Sequence, residues 1–449
     1  MQQTKRENGR FWLALVIFSL VGQIAWVVEN MYFNVFIYKM FAANEKQIAL
    51  MVTLSAVAAT VTTILIGALS DKLGKRKIFI CGGYIVWGIT ILCFAFIRVD
   101  FISAVFPYAS ATALGISLVI IFDCLVTFFG SSANDACFNA WLTDMTDNKN
   151  RGKVEGINAM MPLMAILVVF GGFMSLDQSK SSSWTLIFSV IGGIVILIGV
   201  LGIFLIKDSR VETSENKKYF SNIVYGFRPS VVKQNKMLYA SLASYAVFGI
   251  SIQIFMPYLI IFYSETLGME NYVFIMAPAI ILAAVFTFFY GRIYDKKGFD
   301  KTIFPSVGLL ILGYVILFAF GREGMMETMM GTPLVFIGSL LMMCGYLSGM
   351  AVFGAVIRDY TPENKSGMLQ GMRIVAQVLI PGAIGPQIGS MVLKGAKQIV
   401  NDDGTKSFLP NEKIFMAALI VAIVLVAILA VICCLRKKGA KKSVENNNE

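Results

Sequence analysis

Three carboxylates sit inside otherwise apolar stretches of this chain. Glu29 lies in a run from Phe11 to Tyr38, and Asp123 and Asp135 lie in a run over 112–141. An ionised side chain surrounded by hydrocarbon is costly, and such groups mark ion and substrate pathways. Amides and hydroxyls gather around them. In the first run, Gln23, Trp26, Asn30 and Asn34 fall in one narrow sector at about 100° per residue. An indole ring stacks on the C–H face of a sugar while amides bond its oxygens. Binding of a hydroxyl-rich solute is therefore one reading of this face, and hydrogen bonding between helices is the other. Glu29 points about 100° away from it and fits a partner for another helix. In the second run, Asp123, Thr127, Ser131 and Asn134 form one face, with Asp135 and Asn139 beside it. A stripe this polar cannot face lipid and is expected to line a pathway. Asp135 is the first candidate for a carboxylate that binds solute or couples an ion. Asp123 and Glu29 follow, and the alternative for each is a structural carboxylate bonded to neighbouring helices.

The surrounding composition limits the chemistry. Of 449 residues, 57% are hydrophobic and only 14% charged, against roughly 25% charged in soluble domains. A bilayer is the natural solvent for such a chain. The formal charge of +11 then reads as the positive-inside bias of membrane proteins rather than as a nucleic-acid surface. The chain has seven Cys and no His. The cysteines lie in or at the ends of apolar segments, where they act as small hydrophobes rather than as a disulfide framework. No zinc or haem site, nucleophile motif or phosphate loop can be drawn, so neither an enzyme nor a cofactor is expected. The termini and the central loop are too short for the soluble output domain of a receptor.

These residues need helices to position them. Twelve segments reach the roughly 20 apolar residues of a spanning helix: 11–38, 47–69, 78–97, 112–141, 155–176, 184–206, 236–263, 271–290, 303–320, 333–357, 367–393 and 413–435. The basic residues Lys5, Arg6 and Arg10 run straight into the first. That stretch is too long for a signal peptide and lacks a cleavage site, so it is expected to stay as a span. With both ends in the cytoplasm, about three quarters of the 38 Lys and Arg residues fall on the inner side. The expectation is an all-α integral protein of the cell membrane, functional as a monomer. Its parts are a six-helix bundle over 1–206, a cytoplasmic linker over 207–235, a second bundle over 236–435 and a tail over 436–449. The tail reads as a basic membrane-adjacent stub with a disordered polar end.

The two halves repeat two motifs in the same order. After the second segment come Gly67, Asp71, Lys72 and Gly74, then Lys75, Arg76 and Lys77. After the eighth come Gly291, Asp295, Lys296 and Gly298 at the same spacing. After the fourth, Asp144 precedes Gly152 and Gly156; after the tenth, Asp359 precedes Gly367 and Gly371 at the same intervals. Such duplication argues for two related six-helix bundles. Gly74 permits a tight reversal, the basic run anchors at the anionic inner leaflet, and Asp71 can pair with those cations or cap a helix. The loop Gly67–Lys77 resembles the signature loop of the major facilitator superfamily, and the resemblance extends over the chain. It implies two pseudo-symmetric bundles around a cavity that opens alternately to each side, with Asp71 latching a cytoplasmic gate. The second copy departs from the pattern, because Phe299, Asp300 and Lys301 replace the basic run.

The run from Asn134 to Thr146 also resembles the fourth helix of the glycoside–pentoside–hexuronide:cation symporters. The resemblance implies sugar binding through Asp135. That family's cation-binding carboxylates near the end of helix two have no counterpart here, where Thr60, Thr62 and Thr63 supply hydroxyls alone. The coupling ion, proton or sodium, stays open. In the second half, Tyr245 and Gln377 are solute-binding candidates. Arg373 lies four residues before Gln377, on the same helix face. It suits either an anionic group or the gate, with Asp71 or Asp144 as partner. The small residues Gly382, Gly385 and Gly389 around Pro386 suit close helix approach and bending. The expected function is uptake of a small polar solute, a sugar or glycoside, coupled to a cation. The alternative is export of amphipathic compounds by proton antiport. The Gly-Pro signature of drug antiporters is missing from helix five, which carries Pro162 and Gly171-Gly172 instead.

Overall fold

A chain with no water to bond its backbone must satisfy every amide within a helix or a closed sheet, and this one is almost wholly helical. The structure is a computed structural model that describes residues 9–108, 110–146, 151–207, 225–269, 271–325, 328–361, 366–401 and 404–445. The N-terminal Lys5 and Arg6, most of the expected linker and the end of the tail lie outside them. Among the described residues, twelve helices are long and apolar enough to cross a membrane. They are α1 (Gly9–Phe41), α2 (Glu45–Leu73), α3 (Arg76–Phe96), α4 (Ala111–Met145), α5 (Gly156–Phe173), α6 (Ser181–Leu205), α7 (Lys236–Thr266), α8 (Val273–Lys297), α9 (Phe299–Phe320), α10 (Gly331–Tyr360), α11 (Gly371–Leu393) and α12 (Lys413–Cys434). Large apolar side chains such as Leu65, Ile89, Leu197, Phe288 and Ile420 stay exposed, as lipid-facing residues should.

The chain divides into two compact units. Unit 1 holds α1–α6 together with Gln398–Phe408, and unit 2 holds α7–α12. The inserted segment is an antiparallel hairpin, β1 (Gln398–Val400) and β2 (Lys406–Phe408). The Tyr38 hydroxyl at the end of α1 donates to the Phe408 carbonyl at 2.7 Å, and the two rings meet edge-on. Behind it, Phe33 and Phe36 of α1 pack with Phe94, Trp184 and Phe188. Such edge-to-face pairs add about 1 kcal/mol each beyond their buried area.

Local chemistry sets the turns. Asn44 caps α2 by accepting from the Lys46 and Gln47 amides, while the Gln47 side chain accepts from the Asn44 amide. Gly74 ends α2 at φ 63°, a conformation that favours glycine. Gly298 ends α8 at φ 73° and ψ 179°, so the repeated glycines make two different turns.

Small residues set the spacing between helices. A Cβ on Gly88 of α3 would lie 2.6 Å from the Gly192 carbonyl of α6. One on Gly345 of α10 would overlap the Leu310 nitrogen of α9, and one on Gly389 of α11 would overlap the Ile254 carbonyl of α7. Backbones this close gain dispersion contacts, which hold helices together where burial from water does not. Gly345→Leu should therefore cost about 3 kcal/mol by overpacking and lower the unfolding midpoint followed by far-ultraviolet circular dichroism in detergent. Gly354→Ala on the same helix, where nothing lies within 4 Å, should leave the midpoint unchanged or raised.

Candidate functional site

Four spans contain a widened stretch of helix: Val28–Tyr32 in α1, Ser131–Phe138 in α4, Phe262–Thr266 in α7 and Val375–Leu379 in α11. Such turns bond i to i+5, distort the regular ladder and recur at functional sites. In turn they carry Glu29, then Asn134 and Asp135, then Glu265, then Gln377.

In unit 1, α1, α2 and α4 meet at a cluster of oxygens. Thr127 Oγ1 donates to Glu29 Oε1 at 2.6 Å, and Ser55 Oγ lies 3.3 Å from the same atom. The two hydroxyls are 2.5 Å apart. Thr127 also lies 2.9 Å from the Asp123 carbonyl. Glu29 and Asp123 are 6% and 3% exposed. The second oxygen of Glu29, Oε2, is buried and has no hydrogen-bond partner.

Further along α4, Asp135 is half-buried and accepts from Ser131 at 3.1 Å, with the Asn134 amide and the Trp26 side chain also directed to it. Trp26 is half-buried against Trp87 of α3, with ring centroids 5.3 Å apart. Gln23 is half-buried, while Asn30 and Asn139 are exposed. This places an accessible indole, a carboxylate and amides on neighbouring faces of α1 and α4.

Two residues depart from the expected faces. Asn34 is 2% exposed, and its amide donates to the Asn30 carbonyl within the helix. The widened turn at Val28–Tyr32 advances the chain by less than 100° per residue, which removes Asn34 from the sector of Gln23, Trp26 and Asn30. Asn134 is 4% exposed, and its Oδ1 lies 3.0 Å from the Tyr84 hydroxyl. Glu29 bridges to α2 and α4, as a partner for other helices should. Ser55, Tyr84 and Trp87 were not singled out from sequence. One hydroxyl in an apolar helix carries no periodic signal, and aromatic side chains at helical spacing read as core.

In unit 2, Tyr245 is 4% exposed and stacks on Phe353 at 5.2 Å and 22°. Its hydroxyl is near enough to Tyr346 and Arg373 to feel both electrostatically. Burial leaves Tyr245 little surface to offer a solute. Arg373 and Gln377 are half-buried.

The repeated loops also separate in chemistry. Arg76 is 4% exposed and holds three groups: Asp71 through Nη2, Asp144 through Nε at 3.2 Å, and Ser70 through Nη1 at 2.5 Å. This clamp joins the α2–α3 turn to the end of α4, and Ser70 in turn donates to the Gly67 carbonyl. In unit 2, Asp300 stands at the position equivalent to Arg76 and accepts from the Cys433 thiol at 3.2 Å. Asp359, the counterpart of Asp144, accepts instead from the Tyr294 hydroxyl at 2.7 Å. Tyr294, Asp295, Gly298 and Asp359 line a cleft at that end of unit 2, close to Gly291 in sequence. Arg76→Ala should cost about 2 kcal/mol, the scale of hydrogen bonds to charged groups, read as a lower unfolding midpoint in detergent. Arg76→Lys should recover only part of it, because an ammonium cannot span three partners in a planar fork.

Comparison with known proteins places this geometry. A search of curated proteins finds no match to the chain. Among solved structures, a mutant form of the nucleoside transporter NupG superposes with a TM-score of 0.70 at 13% identity, covering 94% of this chain and 99% of its own. A bacterial homolog of the human lysosomal transporter Spinster, inward-facing and occupied, gives 0.65 at 16% identity, covering 94% and 96%. The xylose transporter XylE from E. coli, partially occluded and inward open, gives 0.64 at 13%, covering 92% and 95%. The profile of the Major Facilitator Superfamily matches residues 11–386. With this match over most of its length, twelve spanning helices and the superfamily's fold, the chain belongs to the Major Facilitator Superfamily of membrane transporters.

Proposed function

We propose that the protein carries a small hydroxyl-rich solute, a sugar or glycoside, into the cell by alternating access, driven by a cation. The observation that carries this reading is the pairing of Trp26 with Asp135 in unit 1. A half-buried indole offers an apolar face to the C–H side of a sugar ring. The neighbouring carboxylate accepts from hydroxyls, and the amides of Gln23, Asn30 and Asn139 serve either polarity. Lipophilic cargo would not need so many hydrogen-bonding groups. Two structural neighbours are transporters of a nucleoside and of xylose, both rich in hydroxyls. This adds support to a reading that rests on the residues.

The remaining roles follow from position. Both termini lie in the cytoplasm of the cell membrane, which puts the Arg76 clamp with Asp71 and Asp144 at the inner gate. The less tightly bonded Asp295 and Asp359 form its counterpart in the second bundle. Arg373, within the first turn of α11, is assigned to the gate. Coupling is assigned to the carboxylates Glu29, Asp123 and Asp135 within the spanning helices of unit 1, because a charge there is costly to keep and marks an ion pathway.

Two outcomes are expected. In a thermal-shift screen against sugars, nucleosides, amino acids and lipophilic cations, a sugar or glycoside should raise the melting temperature, since a ligand of the folded state stabilises it by mass action. At a concentration one hundred times Kd the gain is about 2.7 kcal/mol. Asp135→Asn should remove that shift and abolish concentrative uptake while leaving the unliganded protein folded. Stabilisation by lipophilic cations alone would move the protein to the export class, and normal accumulation by Asp135→Asn would remove the carboxylate from the solute site. In a separate measurement, Asp71→Asn should slow turnover more than it weakens solute affinity. Weakened affinity at normal turnover would contradict the gate role.

A further inference from the structure

The chain between α3 and α4 carries more exposed hydrocarbon than a turn in water would bear. Phe96 ends α3, and a short helix, Val99–Val105, follows before α4 begins at Ala111. Within that short helix Ile102 alone is buried. Around it, Phe96, Phe101, Val105 and Phe106 are each 45% exposed or more. Scattered exposed hydrophobes are ordinary, whereas a contiguous set marks a surface that something apolar covers. Depth says where this surface lies. Helix α3 runs 21 residues from Arg76 to Phe96. That is a rise of about 31 Å, the thickness of the hydrocarbon core at roughly 30 Å. With the Arg76 clamp at one membrane face, the short helix lies at the other. Short apolar-faced helices with aromatic side chains lie in that interfacial layer, and Tyr108 stands fully exposed just beyond it.

A groove of about 230 Å³ runs beside the short helix. Its walls include Phe96, Ile97, Phe101 and Phe106 on one side and Leu118 and Phe122 of α4 on the other. The rings of Phe96 and Phe101 stand 6.2 Å apart. No lining side chain is charged or carries an oxygen. Pockets for compact ligands hold roughly 300–1,000 Å³ and a few placed polar groups, so this groove does not suit a hydroxyl-rich solute. Charge appears only beside it. Arg98 follows Ile97 directly, and its Nη2 lies 3.3 Å from the carboxylate of Asp100, which is 71% exposed. An ion pair that open to water holds little energy. Arg98 Nε, in contrast, is buried and has no hydrogen-bond partner. A buried N–H without an acceptor costs its full desolvation, and the guanidinium fork matches phosphate oxygens.

We propose that this groove is a phospholipid site, with one acyl chain lying in it and the lipid phosphate held by the Arg98 guanidinium. The occupant follows from the two halves of the site together. An apolar groove at the edge of the hydrocarbon core takes a chain, and an unpaired guanidinium N–H beside it takes an anion. A free phosphate has nothing to bind in the groove, and a chain without a phosphate leaves Nε bare. A lipid joins the two at the depth where its own chain meets its own headgroup. The phosphate is common to all glycerophospholipids, so the site reads the phosphate and the chain rather than the group beyond them. It is separate from the Trp26 and Asp135 faces and does not depend on the solute. Phe122 precedes Asp123 on α4, so the bound chain packs the short helix against the helix that carries two of the unit's three intramembrane carboxylates.

The test is native mass spectrometry of the full-length protein, delipidated in detergent and titrated with phosphatidylglycerol. One lipid should bind about tenfold tighter than those that follow, the scale of a hydrogen bond to a charged group. Arg98→Gln should remove that preference, and Arg98→Lys should keep part of it. Leu118→Trp, which fills the groove, should abolish the tight step. Leu197→Trp, at an exposed site on α6, should leave it unchanged. Ethanolamine or choline in place of the glycerol headgroup should also leave it unchanged, while diacylglycerol with the same chains should show no tight step. Lipids that add to the wild type with equal affinity overturn the proposal, because they are annular lipid only. A tight step that survives Arg98→Gln or Leu118→Trp overturns it too, as does diacylglycerol binding as tightly as the phospholipid. A dimer that Leu118→Trp disperses would show a second copy of the chain in the groove instead. If Leu118→Trp fails to fold, Arg98→Gln at the surface turn decides.

Discussion

A carboxylate carried into a bundle of apolar helices has to find donors, a counter-charge or a proton, because no solvent there supplies them. Glu29 is held to that constraint on every side. It lies in the widened turn of α1, bonded through one oxygen to α2 and α4. Much of unit 1 can be understood as what keeps it there. The extra residue in the turn rotates Glu29 toward Ser55 and Thr127 and leaves Gln23, Trp26 and Asn30 on a separate, accessible face. On the proposed reading, ion and solute then occupy neighbouring groups on the same two helices, α1 and α4. The carboxylates Asp123 and Asp135 are about three turns apart along α4. Movement of α1 against α4 would alter both sites together.

That arrangement depends on a rigid frame. Glycines at α3–α6, α9–α10 and α7–α11 bring backbones within contact distance, so these helices are held as packed pairs. The Arg76 clamp adds a charged lock to the α2–α3 turn. The second copy of the loop keeps the glycine and the acids but replaces the guanidinium with Asp300 and a tyrosine hydroxyl. The two copies share the spacing of glycine and acids, while their turns and their bonding differ.

Much of this was legible in the sequence, for physical reasons that also explain what was not. Hydrocarbon thickness imposes a minimum length on apolar runs, so the twelve spans could be drawn directly. The repeated Gly and Asp spacings identified the superfamily's loop before any coordinates did. Asp123 and Asp135 stood out because charge in an apolar run is rare. The helical wheel misplaced Asn34 because it assumes a constant turn, and the turn widens at Val28–Tyr32. Asn134 is likewise buried against Tyr84, in a stretch of α4 that is widened throughout. Ser55 went unnoticed because one hydroxyl on an apolar helix gains meaning only when a carboxylate from another helix reaches it. The hairpin at Gln398–Phe408 was passed over as loop, since two three-residue strands leave almost no alternation to detect.

The central claim, solute transport powered by a cation, is tested most directly by reconstitution. Purified protein in sealed liposomes would be given labelled sugars and glycosides with and without an imposed proton gradient, and with sodium present or absent. Accumulation of one such solute above its external concentration, dependent on a proton or sodium gradient and lost when the gradient is collapsed, is the result the account predicts. Failure to move any member of the panel, together with gradient-dependent extrusion of a lipophilic cation from the same liposomes, would contradict it.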